Sequence, residues 1–303
     1  MAHSFFTADV FTSTPFGGAS IPVFPDASQL TESQRQAIAN ELNASHTVFL
    51  QPTDQASLWQ IETYTPHKSV PVYPHVVLAA AHVLAKAEQS ALKDAQVTLD
   101  FVTPEQRQFS AAVNLTEDQP SLISLSLSVR STVDRYVPTR EEIANILSLI
   151  PADIGFDQFV PLTVSCQAPY LIVPIKSYNA LREAKFDLKA WNQSSAPASL
   201  INGILLFSNN TDPNVADFYS RLMGQDIGIL EDPPVAPVMS EFVSYLCDHA
   251  HIQKGTHVFS MQRGAKESRQ SVIQLEMDNK GEKDLTMRIG GEVITVLEGQ
   301  LNI

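Results

Sequence analysis

Two stretches of this chain share one arrangement: a short strand-like run, a loop broken by prolines, and then a helix that is apolar on almost every side. In the first, Tyr64 leads into Thr65-Pro66-His67-Lys68-Ser69-Val70-Pro71-Val72-Tyr73-Pro74 and an Ala-rich helix from His75 to about Leu92. In the second, Ile227 to Leu230 leads into Glu231-Asp232-Pro233-Pro234-Val235-Ala236-Pro237 and a helix bearing Val238, Phe242, Val243, Tyr245 and Leu246. A helix without a polar face has to be buried. The two helix starts, His75 and Pro237, are about 160 residues apart, which is too far for a solenoid period and fits a duplicated domain. The reading is an α+β chain of two similar lobes, 1–130 and 131–303, with terminal strands free to pack back on the first lobe. A small-molecule site is expected in a cleft between such lobes.

The rest of the pattern fills in around these helices. Alternation and β-branched residues predict strands at Phe5 to Val10, Ile21 to Phe24, Thr47 to Leu50, Leu58 to Tyr64, Gln96 to Val102 and Leu122 to Val129. Further strands are predicted at Val160 to Val164, Tyr170 to Ile175 and Ile204 to Ser208. Thr31 with Gln34, and Thr139 with Glu142, read as capping boxes for helices ending near Asn43 and Leu149. Asp212-Pro213 reads as the cap and first residue of a helix through Met223. Ser271 to Met277 and Leu285 to Leu301 alternate like strands around Gly290-Gly291, giving a terminal hairpin.

Charge and composition exclude several classes. A formal charge of −13 repels phosphate backbones, and no basic cluster offsets it, so nucleic acid is not an expected partner. Cys166 and Cys247 are too few and too isolated for a disulfide framework or a thiolate metal site. No stretch reaches the ~20 apolar residues of a membrane span, and the N-terminus lacks the pattern of a secretory signal. A soluble cytoplasmic globular protein with an anionic exterior is the expectation, and composition names no function. Gly17-Gly18 lacks the third glycine and the helix of a phosphate loop, and there is no Gly-x-Ser-x-Gly elbow. No cofactor and no metal is expected.

Three residues stand out as candidates for chemistry. His75 and Asp232 occupy matching places at the start of the buried helix in each half, where free N–H groups and the helix dipole favour an anion. An Asp before Pro is also an ordinary cap, and a buried His is often just satisfied by backbone. His46, in Asn43-Ala44-Ser45-His46-Thr47, sits at a helix-to-strand junction, and an unperturbed pKa of about 6.5 suits proton transfer. His82 lies on the same helix face as His75 and reads as core. His249-x-His251 lacks a third ligand at sensible spacing and reads as a surface helix end.

These segments, in this order, resemble the PhzF family of phenazine-biosynthesis-like proteins, relatives of diaminopimelate epimerase. Asp9-Val10-Phe11-Thr12-Ser13-Thr14-Pro15-Phe16-Gly17-Gly18-Ala19 is similar to that family's Asp-x-Phe…Gly-Asn-Pro opening. Tyr64-Thr65-Pro66…Val70-Pro71…His75 is similar to its Phe-Thr-Pro…Leu-Pro-Phe-x-Gly-His-Pro segment, and Gly228-Ile229-Leu230-Glu231-Asp232-Pro233 to its Gly-x-x-Glu-Asp-Pro-Ala-Thr-Gly-Ser. Gly290-Gly291 resembles its terminal strand.

The resemblance implies two pseudo-symmetric lobes, each a barrel-like, mostly antiparallel sheet around a central helix, usually in a homodimer, and cofactor-free acid/base isomerisation of small acids. Carried across by position, the pocket His falls on His75 and the pocket Asp on Asp232, while the principal acid of Asn-x-Ser-Glu-Thr is replaced by His46. The same carry-over puts Gly18, Ala19, Tyr73, Pro74, Ala236 and Pro237 against substrate. Gly-His-Pro has become Pro74-His75-Val76, and the Gly-Ser beyond Glu-Asp-Pro has become Ala236-Pro237, which thins the donors for a carboxylate. No cysteine stands at either helix start, so racemisation by two thiols is not expected. The leading expectation is an isomerase or cyclase with His46, His75 and Asp232 as catalytic residues. The alternatives are a pericyclic or cycloaddition enzyme of secondary metabolism, and an inactive binding protein of the same fold.

Overall fold

The computed structural model describes residues 2–55, 57–88, 96–114, 121–209, 215–225, 227, 233–248, 253–264, 269–281 and 284–303. The chain divides into two compact units. Unit 1 comprises Met1–Leu127, Ala265–Ile273 and Arg288–Ile303, and unit 2 comprises Ser128–Gly264 and Gln274–Met287.

Unit 1 is built from β1 (Ala2–Val10), β2 (Ala19–Phe24), α1 (Glu32–Leu42), β3 (Thr47–Pro52), β4 (Leu58–Tyr64), the short β5 (Ser69–Val70), α2 (Pro74–Glu88), β6 (Gln96–Val102), β7 (Gln108–Asn114) and most of β8 (Ser121–Arg130). The strand order is β1-β2-β3-β4-β6-β7-β8, followed by the last strand of the chain, which pairs back onto β1 from Ala2↔Asn302 to Val10↔Val293 and closes an eight-stranded barrel. Pairing is antiparallel except at β2–β3 and β4–β6. Each parallel pair needs a crossover, and α1 and α2 are those crossovers. α2 fills the barrel: Val76, Val77, Leu78, Ala79, Ala80, Ala81, Val83, Leu84 and Ala85 are all buried. Small alanines let it sit inside a ring of strands that bury Val10, Ile21, Phe101, Ala111 and Val113.

Unit 2 repeats the plan with β9 (Thr132–Asp134), α3 (Arg140–Ile146), β10 (Leu162–Ser165), β11 (Pro169–Pro174), α4 (Tyr178–Glu183), α5 (Leu188–Gln193), β12 (Gly203–Ser208), β13 (Phe218–Met223), α6 (Met239–Asp248), β14 (Gly255–Arg263) and parts of β15 (Ser271–Asn279) and β16 (Asp284–Asn302). From β10 to β14 the pairings run antiparallel, parallel, antiparallel, parallel, as from β1 to β6 in unit 1. α4 and α5 take the place of α1, and α6 that of α2. Phe242 of α6 meets Phe207 and Phe218 edge-on, with ring centroids 5.1 and 5.4 Å apart, and Tyr245 meets Phe207 edge-on at 5.4 Å and stacks on Phe159 at 6.1 Å. The fold is α+β, with a central apolar helix in each unit.

Both predicted capping boxes form. The Thr31 hydroxyl accepts from the Gln34 N–H and the Gln34 side chain accepts from the Thr31 N–H, and α1 ends on Asn43 in the left-handed region at φ 47°. Thr139 and Glu142 do the same for α3. α3 stops at Ile146, short of Leu149, because Ser148 turns left-handed at φ 55°.

One expectation needs correcting. The predicted helix through Met223 is the strand β13; its proposed cap, Asp212-Pro213, lies outside the described residues. β13 is buried along nearly its whole length, so the period-2 alternation of a half-exposed strand is missing. The predicted terminal hairpin around Gly290-Gly291 corresponds to β15 and β16, which are hydrogen-bonded neighbours in the sheet. Both glycines lie within β16, and a Cβ on Gly290 would come 2.7 Å from the Ile123 carbonyl oxygen, so close strand approach is what requires glycine there. The sequence pattern does not predict the strands β5, β7, β9 and β14 or the helices α4 and α5. The predicted strand at Ile227 to Leu230 falls, apart from Ile227, outside the described residues, as do Leu92 at the end of the first central helix and the His249-x-His251 pair.

Candidate active site

Two side chains 29 residues apart in sequence meet in unit 1. His75 Nε2 lies 3.2 Å from His46 Nδ1, and the rings meet edge-on with centroids 4.6 Å apart at 79°. Tyr73 completes the group: its ring lies 5.8 Å from His46, edge-on, and 6.3 Å from His75, nearly parallel at 12°.

Local structure explains why they meet. The left-handed Asn43 ends α1, and the chain reaches Thr47, the first residue of β3, within four residues, leaving His46 at the junction. Arg35 of α1 forms an ion pair with Glu62 of β4 at 2.7 Å, and Glu62 also accepts from the Tyr64 hydroxyl at 3.0 Å. Gln36 donates to the carbonyls of Thr65 and Pro66, and Asn40 donates to that of Pro66. α1 therefore holds the start of the segment that delivers His75. Beyond it β5 pairs with β4, and the chain turns into α2 at Pro74.

Pro74 suits the first helical position because the N–H it lacks would have no partner within the helix. The Tyr73 carbonyl accepts from the N–H groups of Val76 and Val77 at 3.2 and 3.4 Å. The start of α2 is thus largely closed by the chain itself, and it differs from the open anion cradle that the sequence suggested at this place.

His75 is fully buried. His46 is partly accessible, yet its ring is packed among protein atoms, and this loss of water pushes its pKa down to about 4. His46 is therefore a neutral imidazole at neutral pH, able to accept a proton. His82, one further step along the same face of α2, does not join the pair. Its Nε2 lies 2.9 Å from Thr295 Oγ1, and burial pushes its pKa to about 4 as well.

The other expected site residues are placed as follows. Asp232 lies outside the described residues. Gly18, Ala19 and Pro74 of unit 1 and Ala236 of unit 2 are buried, while Tyr73 and Pro237 are half-buried. Gly18 has φ +56°, and a Cβ there would collide with the Val10 carbonyl. Its N–H donates to the Gln270 carbonyl at 2.8 Å and its own carbonyl accepts from Arg269 Nε at 3.2 Å.

Arg269, which the sequence pattern does not single out, ties this loop to β1. Its guanidinium donates to the buried Asp9 carboxylate and to the Gly17 carbonyl as well. The Phe16 N–H also donates to Asp9, at 2.7 Å. An aspartate beside the last residue of β1 is the one local signal, and it does not say where the cation comes from. In unit 2, Glu241 near the start of α6 is similarly buried, and its Oε1 accepts from the N–H groups of Cys166 and Gln167 at 3.2 and 3.3 Å. It ties α6 to the β10–β11 turn.

A phenazine-biosynthesis-like domain-containing protein of Rattus norvegicus is 30% identical to this chain over 325 aligned residues, covering 98% of each chain. An uncharacterized isomerase of Mesorhizobium japonicum is 25% identical, covering 97% of each. Among solved structures, a phenazine biosynthesis protein of the PhzF family from Bacillus anthracis superposes with a TM-score of 0.86 at 17% identity over the whole of both chains. The family model for PhzC-PhzF, phenazine biosynthesis-like proteins, matches residues 8–299. With that match spanning nearly every element described above, the chain belongs to the PhzC-PhzF family.

Proposed function

We propose that the protein is a cofactor-independent isomerase or cyclase of a small metabolite, in which His46 moves a proton between substrate atoms. The observation that carries this reading is the contact of His46 with His75 at the mouth of α2. His46 stands where the family pattern has its acidic proton carrier, and burial keeps it neutral at neutral pH, so it can begin a cycle as a base. A single well-placed acid or base contributes roughly 10²- to 10⁴-fold to a rate. A relative named as an isomerase supports the reaction class. Asp232 is the expected third member of the site, acting on the substrate by position or polarisation.

The test is a small-metabolite pool incubated with the protein in D2O and read by mass spectrometry. An isomerase of this kind adds deuterium at carbon in its product, and His46→Ala removes the activity. Full turnover by that variant would sink the assignment. A second reading, pericyclic chemistry without proton exchange, is favoured by the closed start of α2, which offers little to a carboxylate. It predicts a product that forms without deuterium.

A further inference from the structure

We infer that His75 is a positioning residue that fixes the tautomer of His46, holding the proton on Nδ1 and leaving the Nε2 lone pair as the atom that works on substrate. This deepens the proposed function and rests on its assignment of His46 as proton carrier.

The geometry constrains the pair tightly. His75 is fully buried, sits in the first turn of a helix packed on all sides, and lies parallel to the Tyr73 ring, so its imidazole has little freedom to turn. Its Nε2 faces His46 Nδ1 at 3.2 Å, a hydrogen-bond distance at which one nitrogen must carry the proton and the other the lone pair. The second nitrogen of His46, Nε2, has no hydrogen-bond partner among the described residues, and His46 is the accessible member of the pair. The hydrogen bond made by one ring nitrogen determines the state of the other.

Chemistry selects between the two arrangements. If His75 donated and His46 carried its proton on Nε2, the neutral pair could act first only as an acid. Releasing that proton would require His46 to draw one from His75, leaving an imidazolate in a buried site. With the proton on His46 Nδ1, the step balances without such a charge. A substrate C–H proton passes to Nε2, its bonding pair stays on the substrate, and the resulting imidazolium keeps donating Nδ1–H to the His75 Nε2 lone pair. No proton has to move to His75.

The experiment is two-bond 1H–15N correlation NMR on protein labelled with 15N-histidine, with the His46 signals assigned by their loss in His46→Gln. The expected wild-type pattern is a protonated Nδ1 and a bare Nε2 on His46. His75→Phe keeps an aromatic ring but removes the acceptor, and the His46 proton should shift substantially to Nε2. Solvent-deuterium incorporation in the metabolite assay should then slow by about 10²-fold or more, the direction taken when a catalytic histidine is left in the wrong tautomer. A wild-type His46 protonated on Nε2, or a tautomer unchanged in His75→Phe, overturns the inference. The wild-type spectrum decides the matter alone if His75→Phe does not fold. Because the tautomer is read without substrate, failure here is distinct from failure of the proposed function, which is read from turnover by His46→Ala.

Discussion

Arg269 and Asp9, 260 residues apart, form an ion pair in which the carboxylate is fully buried and the guanidinium is partly exposed. The same guanidinium group donates to the carbonyls of Gly17 and Gly18, so one side chain holds the end of β1 and the loop that follows it. Burial raises the pKa of Asp9, and the Arg269 charge, the Phe16 N–H and the Ser20 hydroxyl oppose that rise. Arg269→Met would leave a buried carboxylate without its cation, a change that costs about 3 kcal/mol, toward the lower end of the range for buried pairs because the arginine is partly wet. The cost depends on pH in a defined sense. An acid whose folded pKa lies above its unfolded value loses stability as pH rises through the folded pKa. Denaturant melts should therefore show Arg269→Met more destabilised at pH 7 than at pH 4, and Asp9→Asn in the same chain should recover part of the loss.

His82 sets an acid limit. Its folded pKa of about 4 lies below the ordinary 6.5, so the unfolded chain takes up a proton that the folded one refuses, and stability falls as pH drops from 6.5 toward 4. At about 1.4 kcal/mol per pKa unit, this single group accounts for roughly 3 kcal/mol. His82→Gln, which can still reach toward Thr295, should flatten the acid limb of the stability curve by about that amount. An unchanged limb would place the acid sensitivity elsewhere.

Cys166 should behave as an inert thiol. Burial first, and the Glu241 carboxylate second, push its pKa up to about 12, and burial pushes Cys247 up to about 11. Both should resist iodoacetamide at pH 8 in the native protein and react after unfolding. Glu241→Gln removes the charge but keeps an acceptor for the Cys166 N–H, so labelling of Cys166 should quicken while the β10–β11 turn stays in place.

Gly290 and Gly299 provide a matched pair in β16. A Cβ on Gly290 meets backbone, the Ile123 carbonyl at 2.7 Å, whereas one on Gly299 meets the Phe5 ring at 2.8 Å. Backbone in a barrel cannot step aside, but a half-buried ring can. Gly290→Ala should cost about 1–3 kcal/mol by thermal melting, and Gly299→Ala clearly less.

The parts of this fold that could be read from sequence are those written in short-range signals. Thr31 with Gln34, Thr139 with Glu142 and the unbroken apolar run from Val76 to Leu84 each state their structure within one or two turns of helix. β7 escaped because Ser110, Ala111 and Ala112 lack the β-branched and aromatic signature of a strand. β13 shows no alternation because it is buried on both faces, its one partly exposed residue being Arg221. That arginine donates to the carbonyls of Leu181, Arg182 and Ala184 at the end of α4, a partnership that only the folded chain displays. The site divides in the same way. His46 and His75 were each visible as residues in suggestive places, but their contact, and the reach of Arg269 to Asp9, depend on tertiary structure across 29 and 260 residues.

The pairing of β1 with β16 bears on how the protein is made. Residues 2–10 leave the ribosome nearly three hundred residues before their partners, residues 293–302. Until then β1 has one unfilled edge, and α2 lies in a barrel with a gap. Such long-range closure slows folding and leaves strand edges exposed to other chains. A nascent chain of this protein therefore stays vulnerable to aggregation until β16 arrives, and truncation just before residue 288 would leave the first unit unclosed.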